Sequence, residues 1–366
     1  MKEKKLKAKK SPAEKFRFID LFAGIGGFHI AMHAAGGECV FASEWDKFAR
    51  QTYEANFKSV NPDLFASGRF IGDINSINDR LDFIPDFDVL CAGFPCQPFS
   101  HAGHKKGFED MRGTLFFNIA EIVNHKLEQS RKDGKRRPPK VLLLENVKGL
   151  RGHDKGNTLK VIVETLQQLG YIVNYEVLNT KYFGVPQNRE RLFIVAWLKS
   201  KGAPEAFSFP YGISETNKVI YDREQLLEKH KKVRVGDVLD KNVMEKYTIS
   251  EALYAGHLRR REEHKVKGNG FGFSMFNEAS PYTSTISARY YKDGSEALIA
   301  QRGKRPRVLT PEEAGRLQGY PTGESVPASK RFVIPVSNVQ AYKQFGNSVS
   351  IPVVKALAKE IKKQLL

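Results

Sequence analysis

Phe16-Arg17-Phe18-Ile19-Asp20-Leu21-Phe22-Ala23-Gly24-Ile25-Gly26-Gly27 is the stretch that decides the fold. Phe16 to Phe22 is aromatic and aliphatic enough to read as a strand. The small residues from Ala23 to Gly27 predict a turn, and a helix is expected from Phe28 to Ala35, stopped by Gly36-Gly37. Strand, glycine loop and helix together let a ligand approach the backbone at a helix amino end. The pattern is Gly-x-Gly-Gly rather than the full dinucleotide fingerprint, so alone it is a weak signal. A second strand, Glu38 to Ala42, runs into Ser43-Glu44-Trp45-Asp46. Glu44 then lies where a ribose-binding carboxylate belongs, and Trp45 beside it can pack on an adenine ring. Asp73, in Phe70-Ile71-Gly72-Asp73-Ile74, is placed to accept from an exocyclic amino group, although an isolated turn Asp is more often simply solvated.

The alternation continues outward from this unit. Thr114 to Gln129 has helical apolar spacing, and Val141-Leu142-Leu143-Leu144 is a fully apolar strand with Glu145 at its tip. Ile172 to Leu178 and Leu192 to Leu198 are further strand candidates. Such alternation predicts an α/β fold with a mostly parallel sheet and helices on both faces. Ser130 to Lys140 reads as a basic surface loop. From Lys199 to Gly303 the alternation stops, and a smaller domain of irregular β structure is expected. Helical patterning returns at Thr310-Pro311, a threonine cap followed by proline, and again from Ile351 to Leu365.

Phe87 to Cys91 reads as a buried strand that ends in Gly93-Phe94-Pro95-Cys96-Gln97-Pro98-Phe99-Ser100. A lone cysteine is usually a structural core residue. Cys96, held between two prolines at the carboxyl edge of a sheet, is instead where a nucleophilic thiolate would serve. Glu145 sits at a second strand tip on that edge. A thiolate and a proton-holding carboxyl are the pair needed to add to an electron-poor ring while a ring nitrogen takes a proton. Gln187-Asn188-Arg189-Glu190-Arg191 places two arginines on one face of a strand start, where they can bind phosphate or a base oxygen and lower a thiol pKa. An ordinary surface pairing with Glu190 is the plainer reading of those arginines.

The chain has 366 residues, 41% hydrophobic and 27% charged, with a formal net charge of +18 that points to a polyanionic partner. Its cysteines, Cys39, Cys91 and Cys96, form no Cys-x-x-Cys pair, which argues against a disulfide framework or structural zinc. His29 and His33 have zinc-protease spacing, but Ile30 stands where that motif needs Glu, so no metal is expected. His101-Ala102-Gly103-His104 reads as a DNA-facing loop. Residues 1–14 read as a disordered basic arm rather than a signal peptide, and no run is apolar enough to span a membrane.

Taken in order, these blocks resemble the bacterial DNA (cytosine-5)-methyltransferases. The resemblance covers nearly the whole chain, adding Arg305 to Glu312 and Phe345-Gly346-Asn347-Ser348-Val349 as the last two blocks. It implies a class I S-adenosylmethionine-dependent methyltransferase fold with a seven-stranded, mostly parallel sheet. It also implies a catalytic domain over 15–202, a target-recognition domain over 203–304, and a hinge and return segment over 305–366. Cys96 would be the nucleophile, Glu145 the base-binding acid, and Arg189 and Arg191 its partners. The cofactor, S-adenosyl-L-methionine, would be held by Phe22, Gly24, Gly26, Gly27, Glu44, Trp45, Asp73, Ile74, Pro95, Leu115, Asn347, Ser348 and Val349.

Double-stranded DNA would be the substrate, touched by Gln97, Ser100, Arg289 and Tyr290. Lys267 to Phe273 and Thr285 to Gly294 resemble recognition regions for CC(A/T)GG or CCGG sites. The implied protein is a cytoplasmic, nucleoid-associated monomer, with a restriction endonuclease encoded nearby but not stably bound. Glu313-Ala314-Gly315 departs from the bulkier, more basic stretch common in the family, which touches the hinge and leaves the chemistry alone. Two other readings are a cytosine-5 methyltransferase of RNA and a catalytically dead DNA-binding module. Cys91 lies within a strand rather than beside Glu145, against a two-cysteine RNA mechanism. Cys96, Glu145, Arg189 and Arg191 together argue against a dead module.

Overall fold

The computed structural model describes residues 15–95, 115–200, 203–210, 233–268 and 272–365. The expected basic arm, the Cys96-Gln97 turn, Ser100 and the His101–His104 loop lie outside these residues. Seven strands form the main sheet: β1 (Arg17–Leu21), β2 (Glu38–Ser43), β3 (Phe70–Ile71), β4 (Val89–Gly93), β5 (Val141–Val147), β6 (Tyr171–Asn179) and β7 (Glu190–Leu198). Their order is β3-β2-β1-β4-β5-β7-β6, and only β7 runs antiparallel to its neighbours. The chain winds outward from β1 to β3, then resumes on the other side of β1 with β4. That reversal opens a crevice beyond the carboxyl ends of β1 and β4, the usual ligand site of open α/β sheets.

Strand periodicity explains the two-layered core. Phe18, Val89, Cys91, Val141 and Leu143 face one apolar cluster, while Ile19, Leu21, Leu90, Ala92, Leu142 and Leu144 face the other. The first cluster packs under α1 (Gly27–Ala34), α2 (Lys47–Phe57) and the last helix; the second packs under α4 (Leu115–Lys132) and α5 (Asn157–Gln168). A strand covered on both sides must be apolar throughout, hence the run Val141 to Leu144. A short helix, α3 (Pro62–Ala66), bridges α2 and β3. No helix among the described residues is long and apolar enough to cross a membrane.

The smaller region is less purely β than expected. A three-stranded sheet, β8 (Met275–Phe276), β9 (Leu298–Gln301) and β10 (Lys304–Arg307), is accompanied by a sixteen-residue helix, α6 (Glu251–Val266). Its helical signal is weak in the sequence because the packed face is narrow: His257 is buried, while Leu253, Tyr254 and Leu258 lie only partly buried against the small core of Ile249, Phe273 and Leu298. The β9–β10 pair also straddles the expected division between residues 304 and 305. Beyond it come α7 (Pro311–Arg316), α8 (Asn338–Asn347) and α9 (Ile351–Leu365). Thr310 and Glu313 cap α7 reciprocally, and the buried Glu313 carboxylate also takes a two-pronged pair from Arg307, at 2.7 and 2.8 Å, and the Asp240 N–H at 2.7 Å. Gly315 of the departing Glu313-Ala314-Gly315 stretch has a packing reason: a Cβ there would come within 3.0 Å of Phe345 and Thr322.

One side chain ties these parts together. Arg189, immediately before β7 and only 1% exposed, donates to the carbonyls of Ile286 (3.1 Å), Gly346 (2.9 Å) and Ser348 (2.8 Å). Gln187 supports it, donating to Leu317 O at 2.9 Å and accepting from Ile286 N–H at 3.1 Å. Removing a buried donor set strands three carbonyls, so Arg189→Ala should cost about 3 kcal/mol or more in urea unfolding. Arg189→Lys should recover part of that loss, and an unchanged midpoint for both would show the strut to be dispensable.

Burial also fixes a neutral histidine. His29 stacks on Phe57 at 4.1 Å and bonds Tyr53 Oη through Nδ1 at 2.6 Å, and burial, with His33 nearby, pushes its pKa down to about 3. The unfolded chain therefore binds a proton here that the folded chain refuses between about pH 6.5 and 3, and stability should fall with pH across that window by about 1.4 kcal/mol per unit. Stability measured against pH should show this slope, and His29→Phe should flatten it whatever its absolute stability. An unaltered slope in that variant would place the acid sensitivity elsewhere.

Candidate active site

The crevice is built from loops that leave β1, β2, β4, β5 and β7. Phe22 turns the chain out of β1 with φ at 54°, in the left-handed region that non-glycine residues avoid at a cost of about 1–2 kcal/mol. The three glycines that follow have different work. A Cβ on Gly24 would meet nothing within 4 Å and would fill the open crevice itself. On Gly26 it would strike Phe57 at 2.1 Å, and on Gly27 it would strike Val349 at 2.6 Å and Tyr320 Oη at 3.0 Å. Gly24 thus keeps space for a ligand, whereas Gly26 and Gly27 let α1 close onto its neighbours. The α1 amino end has no side-chain cap and no acidic residue in its first turn, leaving N–H groups and a positive dipole end at the crevice.

Glu44 is buried at the tip of β2, where its carboxylate accepts from Gly24 N–H at 2.7 Å and Asp46 N–H at 2.8 Å. Burial raises its pKa, against the pull of those N–H groups. Next to it Trp45 is 81% exposed, an indole with no partner ring among the described residues. Asp73 caps the turn that follows, accepting from Asn75 N–H at 2.9 Å, and Ile74 behind it is buried. Beneath the loop, buried Asp20 has no hydrogen-bond partner in good geometry among the described residues, and burial and then Glu44, against the pull of the His29 backbone N–H, hold its pKa well above the carboxylate range. A carboxylate with lone pairs to spare, an exposed indole, an uncapped helix end and a glycine loop that a Cβ would fill are the features that an adenosine-bearing cofactor needs.

The last elements of the crevice come from far along the chain. Ser348 Oγ meets Tyr320 Oη at 2.6 Å, and Val349 lies against Gly27 and Gly93. Asn347, the last residue of α8, is exposed, and Leu115 opens α4 half-buried. The return segment therefore comes to the glycine loop, while Trp45 and Asp73 stand at the outer side.

At the tip of β5, Glu145 pairs in register with Gly93 and Phe193. Arg191 Nε lies 3.2 Å from its Oε1. Burial raises the Glu145 pKa, with Arg191 and then Arg189 opposing that rise. The next residue, Asn146, donates from Nδ2 to Phe94 O at 2.8 Å, fastening the root of the Pro95-Cys96 turn beside Glu145. Cys96, Gln97 and Ser100 lie beyond the described residues; Pro95, the last described before them, is exposed.

The two arginines separate in role. Arg191 faces Glu145, whereas the Arg189 guanidinium is spent on three carbonyls, and burial with Arg191 nearby lowers its pKa to about 9. Neither pairs with the Glu190 carboxylate, which meets Lys148 at 2.8 Å instead. Tyr290 requires correction as a DNA contact. It is 1% exposed, its hydroxyl donates to Ala297 O and accepts from Leu309 N–H, both at 2.8 Å, and its ring packs edge-on against Tyr342. Arg289 next to it is exposed. Asn146 and Gln187 sat inside quoted motifs without a role, and Tyr320 carried no signal in the sequence.

The family pattern of C-5 cytosine-specific DNA methylases matches residues 16–363. The type II methyltransferase M.SsoII of Shigella sonnei is 49% identical over 349 residues, covering 95% of this chain and 80% of that protein. M.HpaII of Haemophilus parainfluenzae is 41% identical, covering 96% and 90%, and the DNA-cytosine methyltransferase of Escherichia coli K12 is 38% identical, covering 95% and 78%. Among solved structures, the Dnmt2 methyltransferase of S. pombe superposes with a TM-score of 0.67 at 20% identity, covering 96% of this chain and 99% of that one, a likeness of fold. With a class I methyltransferase sheet, a glycine-loop crevice at its switch point and this similarity over nearly its full length, the chain belongs to the C-5 cytosine-specific DNA methylase family.

Proposed function

We propose that this enzyme methylates carbon 5 of a cytosine turned out of duplex DNA, through a covalent bond between Cys96 and carbon 6. The observation that carries this reading is the Asn146 bond to Phe94 O, which roots the cysteine turn beside a buried Glu145 paired with Arg191. The target base must leave the helix because its carbons 5 and 6 are covered in the stack.

Glu145, with its pKa raised by burial, holds a proton toward ring nitrogen N3. Arg191 orients that carboxyl and offers its remaining N–H groups to a base oxygen. As the Cys96 thiolate forms the carbon–sulfur bond at carbon 6, electron density moves to carbon 5. S-adenosyl-L-methionine supplies the methyl group that carbon 5 takes. Loss of the carbon-5 proton then expels Cys96, the carbon–sulfur bond breaks, and the aromatic ring returns. Gly24, Glu44, Trp45, Asp73 and Ser348 are the residues that would hold the cofactor, with Phe22, Gly26, Gly27, Ile74, Pro95, Leu115, Asn347 and Val349 shaping its surroundings.

The proposed enzyme has a catalytic part over 15–202, a recognition part over 203–304 and a return segment over 305–366, and acts as a monomer at the nucleoid, with a genetically linked endonuclease. Arg289, exposed on the recognition side, is proposed as a guanine reader for a CC(A/T)GG or CCGG site. The RNA reading is disfavoured because the relatives similar in sequence are named as DNA enzymes.

Cys96→Ser should abolish methyl transfer while cofactor affinity persists, since a hydroxyl is a far weaker nucleophile. Duplex DNA with 5-fluorocytosine at the target should trap the wild-type protein as a slower band on a denaturing gel, because fluorine cannot leave carbon 5 as a cation. Turnover by the serine variant, or no band with wild type, would overturn the covalent route; trapping by RNA and not by duplex DNA would reassign the substrate.

Trp45→Ala and Glu44→Ala should each weaken cofactor binding by about tenfold or more, as befits loss of a stacking face or a paired carboxylate. Calorimetry on the purified variants reads this, and bisulfite sequencing should find the modified site unchanged. Unaltered affinity would move the adenosine pocket away from the β2 tip.

A further inference from the structure

The rim of the sheet opposite the active site collects positive charge from three separate parts of the chain. Lys140 N–H donates to Asp88 O at 2.9 Å, Asp88 N–H to Arg17 O at 2.8 Å, and Leu198 N–H to Lys140 O at 2.9 Å. These bonds set Arg17, Lys140 and the Leu198-Lys199 end of β7 side by side along the amino ends of β1, β4 and β5. At ordinary strand spacing they span about 15 Å, over which a DNA duplex carries about nine phosphate charges.

The 130–140 loop stands over the same rim and is held in a fixed shape. Asp133 N–H bonds Gln129 O at 2.9 Å, Arg136 N–H bonds Asp133 O at 2.9 Å, and Tyr171 Oη anchors Pro139 O at 2.7 Å. It exposes Arg131, Lys132 and Lys135, none of which has an ion pair among the described residues. Lys15 and Lys199 are likewise exposed and without an ion pair. Acidic groups are fewer and largely occupied. Asp88 is buried, accepts from Arg17 N–H at 2.9 Å and faces Lys140 at 3.9 Å, while Arg136 lies between Asp86 and Asp133 at 3.8 and 3.9 Å. Glu38, at the start of β2 beside Arg17, and Glu128, one turn before Arg131 and Lys132 on α4, are the exposed carboxylates that remain. The rim is therefore a net cationic surface assembled by the fold, where the sequence alone showed only one basic loop.

Lys140 and Glu145 are five residues apart on an extended strand, about 17 Å, or two screening lengths at physiological salt. Charge on this rim does little for a base bound at Glu145. We propose that the amino-end rim, centred on Arg131, Lys132, Lys135, Lys140, Arg17 and Lys199, is a second binding surface for duplex phosphates. It holds a separate segment of the same long DNA while the target segment occupies the carboxyl-end crevice. Binding there is sequence-independent, because flexible lysines and arginines on a convex rim meet phosphates and no base edge.

The test is a variant carrying Arg131→Ser, Lys132→Ser and Lys135→Ser, three exposed side chains whose loss leaves the loop's own bonds in place. On a duplex just long enough to hold the target, kcat and KM should stay within about twofold of wild type. On plasmid-length DNA with one target, affinity at low salt should fall about tenfold, and the slope of log K against log salt should flatten by about 2 to 3, near 0.9 per lost phosphate contact. Equal losses on both lengths would reduce the effect to net charge, and no loss on either would leave the rim merely solvated; both overturn the proposal. Capture of wild type but not variant by phosphatidylglycerol vesicles, with long-DNA affinity unchanged, would overturn it in favour of an anionic lipid surface.

Discussion

The arrangement of this enzyme depends on where one guanidinium is placed. Arg189 is nearly inaccessible to water, and a charge in that position is tolerable only because planar N–H groups reach three carbonyls on two stretches of chain at once. Those carbonyls belong to the recognition side, at Ile286, and to the turn that faces the glycine loop, at Gly346 and Ser348. The sheet, the segment around Ile286 and the turn against the glycine loop thus share a common fastening. A lysine has the charge but only a compact ammonium, which cannot span the same set of acceptors. Arg189 was expected to act at the reacting base; its geometry makes it a positioning residue, and Arg191 is the arginine that meets Glu145.

Glu145 shows two opposed effects held in balance. Desolvation favours the protonated acid, and the Arg191 contact at 3.2 Å favours the carboxylate. Burial alone would leave an acid reluctant to give up its proton, and pairing alone would leave a carboxylate unable to hold one. The role proposed for Glu145, holding a proton at a ring nitrogen and releasing it again, calls for both. The same logic separates Glu44 from Asp20. Glu44 has two backbone donors at its oxygens, whereas Asp20 beneath it has none in bonding geometry and is the more strongly driven to the neutral form.

What the sequence made legible is what local rules control. The central strands announced themselves because covering both faces forces continuous apolar runs, and the β1–loop–α1 unit because glycines stand where backbone must take positive φ or approach closely. The residues misread are those whose role depends on a partner distant in sequence. Tyr290 looks like any aromatic beside an exposed arginine until Ala297 and Leu309 claim its hydroxyl. Helix α6 escaped notice because its packed face is short, with Leu253, Tyr254 and Leu258 only partly buried beside His257, and most of its other residues are charged. The positive rim was legible only as the basic loop from Ser130 to Lys140: that Arg17 and Lys199 join it depends on sheet register.

The crevice itself is the extreme case of that dependence on distant partners. Its inner wall is Gly27 pressed on Ser348 and Val349, contacts between the two ends of a chain of 366 residues. Closing so long a loop is entropically unfavourable, by a cost that grows only slowly with length, and it is offset by the packing of α9 beneath α1 in the first apolar cluster. The glycine loop can take its backbone shape locally, but a ligand cradle exists only once the last segment has returned. Any change that loosens α9 from α1 should therefore be felt at the cofactor before it is felt at Glu145, whose partners Arg191, Gly93 and Asn146 lie within the sheet and do not wait for that return.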